Sequence, residues 1–103
     1  WGAVAGCVGA VERGPGRLEL VRMYVDAGRR RQGLGRALVQ VLLDHALASG
    51  ILEVYLTTPR VNEVGIRFYQ AMGFSEQKSM SIEHAGLPLE LVQLSQAVEP
   101  PRR

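Results

Sequence analysis

An apolar run from Leu18 to Val25 leads into Arg29-Arg30-Arg31-Gln32-Gly33-Leu34-Gly35-Arg36, and from Leu34 to Ser49 the apolar spacing is helical. A strand that passes through a glycine-rich turn into a long helix confines the chain to an α/β architecture. The start of such a helix carries unpaired backbone N–H groups and the positive end of the helix dipole. Glycines at 33 and 35 have no Cβ to keep a bulky anion away from that backbone. Arg29, Arg30, Arg31 and Arg36 add charge and forked donors. The segment reads as a phosphate cradle, and the identity of the phosphate decides the function.

At 103 residues the chain has room for one domain with a modest core. An apolar share of 47 % and a mean hydropathy of +0.03 describe an ordinary globular chain, not a disordered one. The net charge is +2, with eleven arginines beside the single Lys78. One cysteine, Cys7, excludes an internal disulfide and leaves the redox compartment open. Apolar runs fall short of the roughly 18 residues of a membrane span, and no signal peptide is visible. The chain opens on Trp1, so further segments are expected upstream. As it stands a cytoplasmic setting is expected, with membrane attachment through upstream segments left open.

Residues 3–12 are small and β-branched without helical period, which predicts a strand, and Arg13-Gly14-Pro15-Gly16-Arg17 predicts a hairpin turn. The returning strand carries Leu18, Leu20 and Tyr24 on one side and Val21, Met23 and Val25 on the other. Apolar residues on both faces predict a central strand in a covered sheet. Leu34, Leu38, Val41, Leu42 and Leu47 mark the inner row of the long helix, which Gly50 caps. Ile51 to Thr58 is rich in β-formers, so strand, helix and strand make a βαβ unit. Asn62 is placed to cap a short helix whose Gly65, Ile66, Phe68, Tyr69 and Met72 face inward, and Gly73 stops it. Two strands, about 75–83 and 89–98, joined by His84-Ala85-Gly86-Leu87-Pro88, complete one domain over residues 1–98. Residues 99–103 read as a frayed tail.

A dinucleotide-binding fingerprint would need a third glycine where Leu38 stands, and an acidic residue about 20 positions on; the candidate, Glu53, lies inside a strand. A P-loop needs Lys followed by Ser or Thr, and none is present. A nucleic-acid patch would be expected to interleave aromatics with its arginines, which this cluster does not.

The chain resembles the GCN5-related N-acetyltransferases, whose signature Arg/Gln-x-x-Gly-x-Gly/Ala follows a central strand; here it is Arg30-Arg31-Gln32-Gly33-Leu34-Gly35. A second signature, an Asn followed by a helix ending in aromatic-Tyr-x-x-x-Gly-Phe, is similar to Asn62 with Phe68-Tyr69-Gln70-Ala71-Met72-Gly73-Phe74. The wording from Tyr55 to Phe74 resembles the vertebrate camello-like branch. The resemblance implies a mixed α/β sheet: a hairpin, a βαβ unit with splayed central strands, a short helix and a C-terminal strand pair. The first strand and two helices of the family, which build part of its acceptor site, are expected to precede Trp1. A sheet edge bared in that way would favour a homodimer.

The resemblance also implies acetyl-CoA as cosubstrate, a primary amine as acceptor, whether small molecule or protein, and neither metal nor nucleic acid. Amides of residues 31–36, with Arg30, Arg31, Gln32, Gly33, Leu34, Gly35 and Arg36, would hold the diphosphate. Main-chain groups of Met23, Tyr24 and Val25 would pair with the pantetheine arm, and Asn62 would hydrogen-bond it or shape the helix start. A lysine-like amine with a pKa of about 10.4 is neutral in roughly one molecule in 10³ at pH 7, so a base is useful, and Glu19 is the candidate. Tyr69 holds the position of the family's tyrosine acid and is protonated at pH 7. A module that binds coenzyme A without turnover is the alternative, and an arginine-rich nucleic-acid binder a further one.

Each residue also has a plainer use. Tyr69 suits a core aromatic with a wet hydroxyl, Glu19 a solvent-facing carboxylate, Asn62 an N-cap and Cys7 a core filler. His45 and His84 lack metal-ligand spacing, and Arg60 and Arg67 read as surface charges.

Overall fold

The computed structural model describes residues 6–25 and 33–98. The expected tail over 99–103 and the predicted diphosphate partners Arg30, Arg31 and Gln32 lie outside the described residues. The elements are β1 (Gly6–Glu12), β2 (Arg17–Val25), α1 (Leu34–Ala48), β3 (Glu53–Pro59), α2 (Glu63–Ala71), β4 (Ser75–His84) and β5 (Leu87–Ala97). This is the expected mixed α/β arrangement, with one five-stranded sheet in the order β1-β2-β3-β5-β4. The described residues fall into two compact units, one up to Val54 and resuming at Ala97, the other Tyr55–Gln96.

In the first unit β1 and β2 form the predicted antiparallel hairpin. Its turn is closed by Arg13 N–H donating to the Arg17 carbonyl at 2.9 Å, and the Gly16 carbonyl accepts from the N–H groups of Leu52 and Glu53 at 2.7 and 3.0 Å. An ion pair from Arg17 Nε to Glu53 Oε1 at 2.7 Å adds to that docking. The prediction that β2 is apolar and covered on both faces is corrected. Leu18 and Leu20 are buried, whereas Val21 is 49 % exposed. The reason is a bulge: Gly9 faces Arg22 and Ala10 faces Leu20, so Val21 is the extra residue. Alternation restarts beyond it, and Met23 and Val25 are less exposed than Arg22 and Tyr24.

The inner row of α1 is also corrected. Val39, Leu42 and Ala46 are buried, Leu34 and Leu38 are half-buried, and Val41 is 63 % exposed and Leu47 is exposed. At 100° per residue Val41 points well away from a row centred between Leu42 and Ala46. The small Ala46 is the core residue that the apolar pattern understated. Each of Val39 and Leu42 contributes about 1.5–3 kcal/mol by burial. The C-terminus closes as predicted around Gly50: its N–H donates to the Leu47 carbonyl at 3.3 Å and that of Ile51 to the Ala46 carbonyl at 2.9 Å, a Schellman arrangement.

In the second unit Val54's successors on β3, Tyr55, Leu56 and Thr58, are buried, as are Ile66 and Tyr69 of α2 and Val92, Leu94 and Ser95 of β5. Gly65, Phe68 and Met72 are half-buried, so the predicted inner rows of α2 hold. The connection between β4 and β5 is shorter than the predicted five residues. His84 pairs with Leu87 and Glu83 with Pro88, leaving only Ala85 and Gly86 in the turn, at φ 53° and 80°. Positive φ at both positions suits a type I′ hairpin and lets the strands keep their right-handed twist.

Candidate functional site

The mouth of α1 is built by Gly33, which sits at the N-cap in the left-handed region at φ 78° and ψ 6°. Its carbonyl accepts the first intrahelical bond, from Ala37 N–H at 3.0 Å. The amides of Leu34, Gly35 and Arg36 therefore precede the first internally bonded residue. Among the described residues no side chain caps them, and the first turn holds no acidic residue. A Cβ at Gly33 would meet nothing within 4 Å, so what glycine supplies there is the backbone conformation. Arg36 is exposed and Gly35 half-buried beside this opening. An anion is the complement that such a helix start lacks.

The last residues of β2 belong to the same unit. Met23, Tyr24 and Val25 lie opposite Val8, Cys7 and Gly6 of β1. Glu19, six residues earlier, accepts from Arg13 Nε at 2.9 Å and keeps 22 % of its side chain exposed. Cys7 is a free, half-buried thiol.

In the second unit Asn62 is the N-cap of α2, its Oδ1 accepting from Gly65 N–H at 3.2 Å. Its Nδ2 donates to Thr58 Oγ1 at 3.0 Å, which ties the helix start to the end of β3. Thr58 is one of the few buried polar residues. Tyr69 follows two turns later, 8 % exposed, with its ring edge-to-face against Phe68 (centroids 5.2 Å apart) and Phe74 (5.7 Å). Burial pushes its phenol above the ordinary value of 10. No hydrogen bond within the described residues engages that hydroxyl, and no buried side-chain polar atom among them lacks a partner. The hydroxyl therefore keeps contact with solvent and stays protonated through neutral pH.

Three features escaped the sequence reading. Arg60, expected to be a plain surface charge, is a hub: its guanidinium donates to both carboxylate oxygens of Glu76 at 2.9 and 2.6 Å and to Glu90 at 3.3 Å. Glu76 holds the guanidinium above its ordinary value, and Arg60 in turn holds the Glu76 carboxyl below the usual carboxylate range. The Thr58–Asn62 link and the packing of Gly65 against Asn62 also went unread. None carries a plain signal in the sequence: Arg60 meets Glu76 and Glu90 on other strands, and the contacts of Asn62 with Thr58 and Gly65 depend on where its side chain points. His45 does no more than approach Ser49 Oγ at 3.5 Å. Among the described residues no group of three or more His, Cys, Asp or Glu is placed to hold a metal ion. Nor is any helix among them long and apolar enough to cross a membrane.

A mixed five-stranded sheet with a glycine N-cap opening its long first helix defines the class of fold. The chain belongs to the acetyltransferase (GNAT) family, whose model matches residues 2–74. It is 40 % identical over 60 residues to N-acetyltransferase 8 of Homo sapiens, covering 58 % of this chain and 26 % of that protein. The chain thus spans about a quarter of the length of that relative. Among solved structures, Ard1 from Thermoplasma volcanium superposes with a TM-score of 0.87 at 22 % identity, over 95 % of this chain and 66 % of that one. The Bacillus subtilis acetyltransferase in complex with CoA gives 0.81 at 20 % identity, over 96 % and 74 %. At those identities the likeness is one of fold.

Proposed function

We propose that this chain is the acetyl-CoA-binding portion of an N-acetyltransferase, in which a primary amine attacks the thioester directly. The observation that carries the reading is the start of α1, where Gly33 turns the backbone and, among the described residues, no side chain caps the three amides that follow and no acidic residue stands in the first turn. The residues present fit a diphosphate, since neutral donors and a left-handed glycine form a cradle that a side chain would distort. Acetyl-CoA supplies the activated acetyl group.

In this reading the amides of Leu34, Gly35 and Arg36, together with Arg30, Arg31, Gln32 and Arg36, bind the diphosphate, and the main chain of Met23 to Val25 orients the pantetheine arm. The bulge at Val21 belongs to the same strand and sets which of its groups turn toward that arm. Asn62 is spent on its own helix and on Thr58, so its part is to fix the start of α2. Tyr69 holds a proton for the departing thiolate, and its raised pKa keeps that proton available at neutral pH. Glu19 takes the amine's proton through water. Recovering the neutral amine is worth up to ~4.6 kcal/mol at pH 7.

Thiol release from acetyl-CoA in the presence of a panel of small amines and peptides tests the reading. Amine-dependent release supports it; tight acetyl-CoA binding with no release from any amine supports the module without turnover.

A further inference from the structure

We infer that Gly6 is a positioning residue for cofactor binding, setting the distance between the start of α1 and the end of β2; this rests on the cofactor reading proposed above. Gly6 lies on β1 opposite Val25. A Cβ at that position would stand 2.8 Å from the Tyr24 carbonyl oxygen, 3.0 Å from Leu34 Cδ2 and 3.1 Å from Leu38 Cδ1. The first of these neighbours is backbone and has no rotamer by which to yield. The other two are side chains of the first turns of α1. A single methyl would thus press on β2 at the pantetheine strand and on the helix that presents the diphosphate amides.

Gly9, on the same strand, shows that the demand is local. A Cβ there meets only Arg22 Cβ at 3.5 Å, an ordinary contact. The requirement for a bare backbone therefore falls on the one residue of β1 that is wedged between the two segments assigned to the cofactor. Both segments bind parts of one molecule, so their spacing fixes whether both can be engaged together.

Calorimetric titration of the wild-type chain, Gly6→Ala and Gly9→Ala with acetyl-CoA and with ADP tests the inference. ADP carries the diphosphate without the pantetheine arm, so it reports the helix mouth alone. Gly6→Ala should weaken acetyl-CoA about tenfold or more and ADP distinctly less, because only acetyl-CoA must engage both segments at once, while Gly9→Ala stays within about twofold for both. Equal losses of the two ligands in Gly6→Ala, or no loss, overturns the spacing role. If the wild-type chain binds neither ligand, the cofactor reading itself fails. A wild-type measurement stands beside the variants in case Gly6→Ala does not fold. In an amide NMR titration with acetyl-CoA the Gly6 resonance should move with the same midpoint as Gly33, with Gly9 still. A stationary Gly6 resonance while Gly33 moves contradicts the inference.

Discussion

The side-chain amide of Asn62 occupies the space that a side chain on Gly65 would need. A Cβ at Gly65 would lie 2.8 Å from Asn62 Cγ and 2.9 Å from Oδ1. The glycine is therefore a condition of the cap that Asn62 makes, with Oδ1 on Gly65 N–H and Nδ2 on Thr58. In most helix interiors alanine is the better residue than glycine by about 1 kcal/mol. Here the order should reverse. Gly65→Ala should lower the denaturation free energy by about 1–2 kcal/mol, because the cap is displaced. In an Asn62→Gly background the same change should be neutral or stabilising by up to about 1 kcal/mol. A Gly65→Ala effect that is unaltered by removing Asn62 would show that the two residues do not compete for space.

Tyr69 combines a buried ring with a solvent-reached hydroxyl. Tyr69→Phe should keep the edge-to-face packing on Phe68 and Phe74, leaving acetyl-CoA affinity within about twofold, and cut turnover by about 10²-fold or more. Equal losses in affinity and turnover would refute the acid role. Burial raises the folded pKa above the ordinary 10, so the step should appear late in an alkaline titration of phenolate absorbance, and should be missing from Tyr69→Phe. The stability linked to this neutral phenol is fully present below the unfolded value near 10 and lost as pH rises through the higher folded value.

The Arg60 hub makes a prediction about acid. Glu76 titrates below its ordinary value of 4.5 in the folded chain because Arg60 donates to both its oxygens. Its contribution is therefore present above pH 4.5 and disappears as pH falls through the lower folded value. Arg60→Gln should lower the unfolding midpoint at neutral pH and flatten the pH dependence below 4.5. The difference between wild type and variant should shrink in high salt, since all three side chains are partly exposed. A variant that follows the wild-type acid curve would remove Glu76 from the account.

Much of this architecture was legible in the residues. The strand–glycine–helix passage, the hairpin turn at Arg13–Arg17, the cap at Asn62 and the stop at Gly50 are local, and each is dictated by backbone chemistry within a few residues. What went unread depends on partners far along the chain or on small residues. Val21 looked like a buried strand residue because a bulge in the pairing with β1 leaves no mark on one strand alone. Val41 looked like core and Ala46 did not, because side-chain size misleads when the helix face is set by its neighbours. Arg60 finds Glu76 and Glu90 across 16 and 30 residues, a distance no periodicity spans. The turn at Ala85-Gly86 was blurred by Pro88, which the pairing with Glu83 keeps inside β5.

For acetyl-CoA to bind in the proposed way, main-chain groups at the start of α1 must grip its diphosphate. Calorimetric titration of the chain and of Gly33→Ala and Gly33→Glu with acetyl-CoA tests it most directly. Gly33 stands in the left-handed region with open space around its missing Cβ. Alanine should thus cost about 1–2 kcal/mol in backbone strain and weaken binding modestly. Glutamate adds a negative charge at the positive end of the helix and should abolish measurable binding. Acetyl-CoA affinity that survives Gly33→Glu would contradict the account.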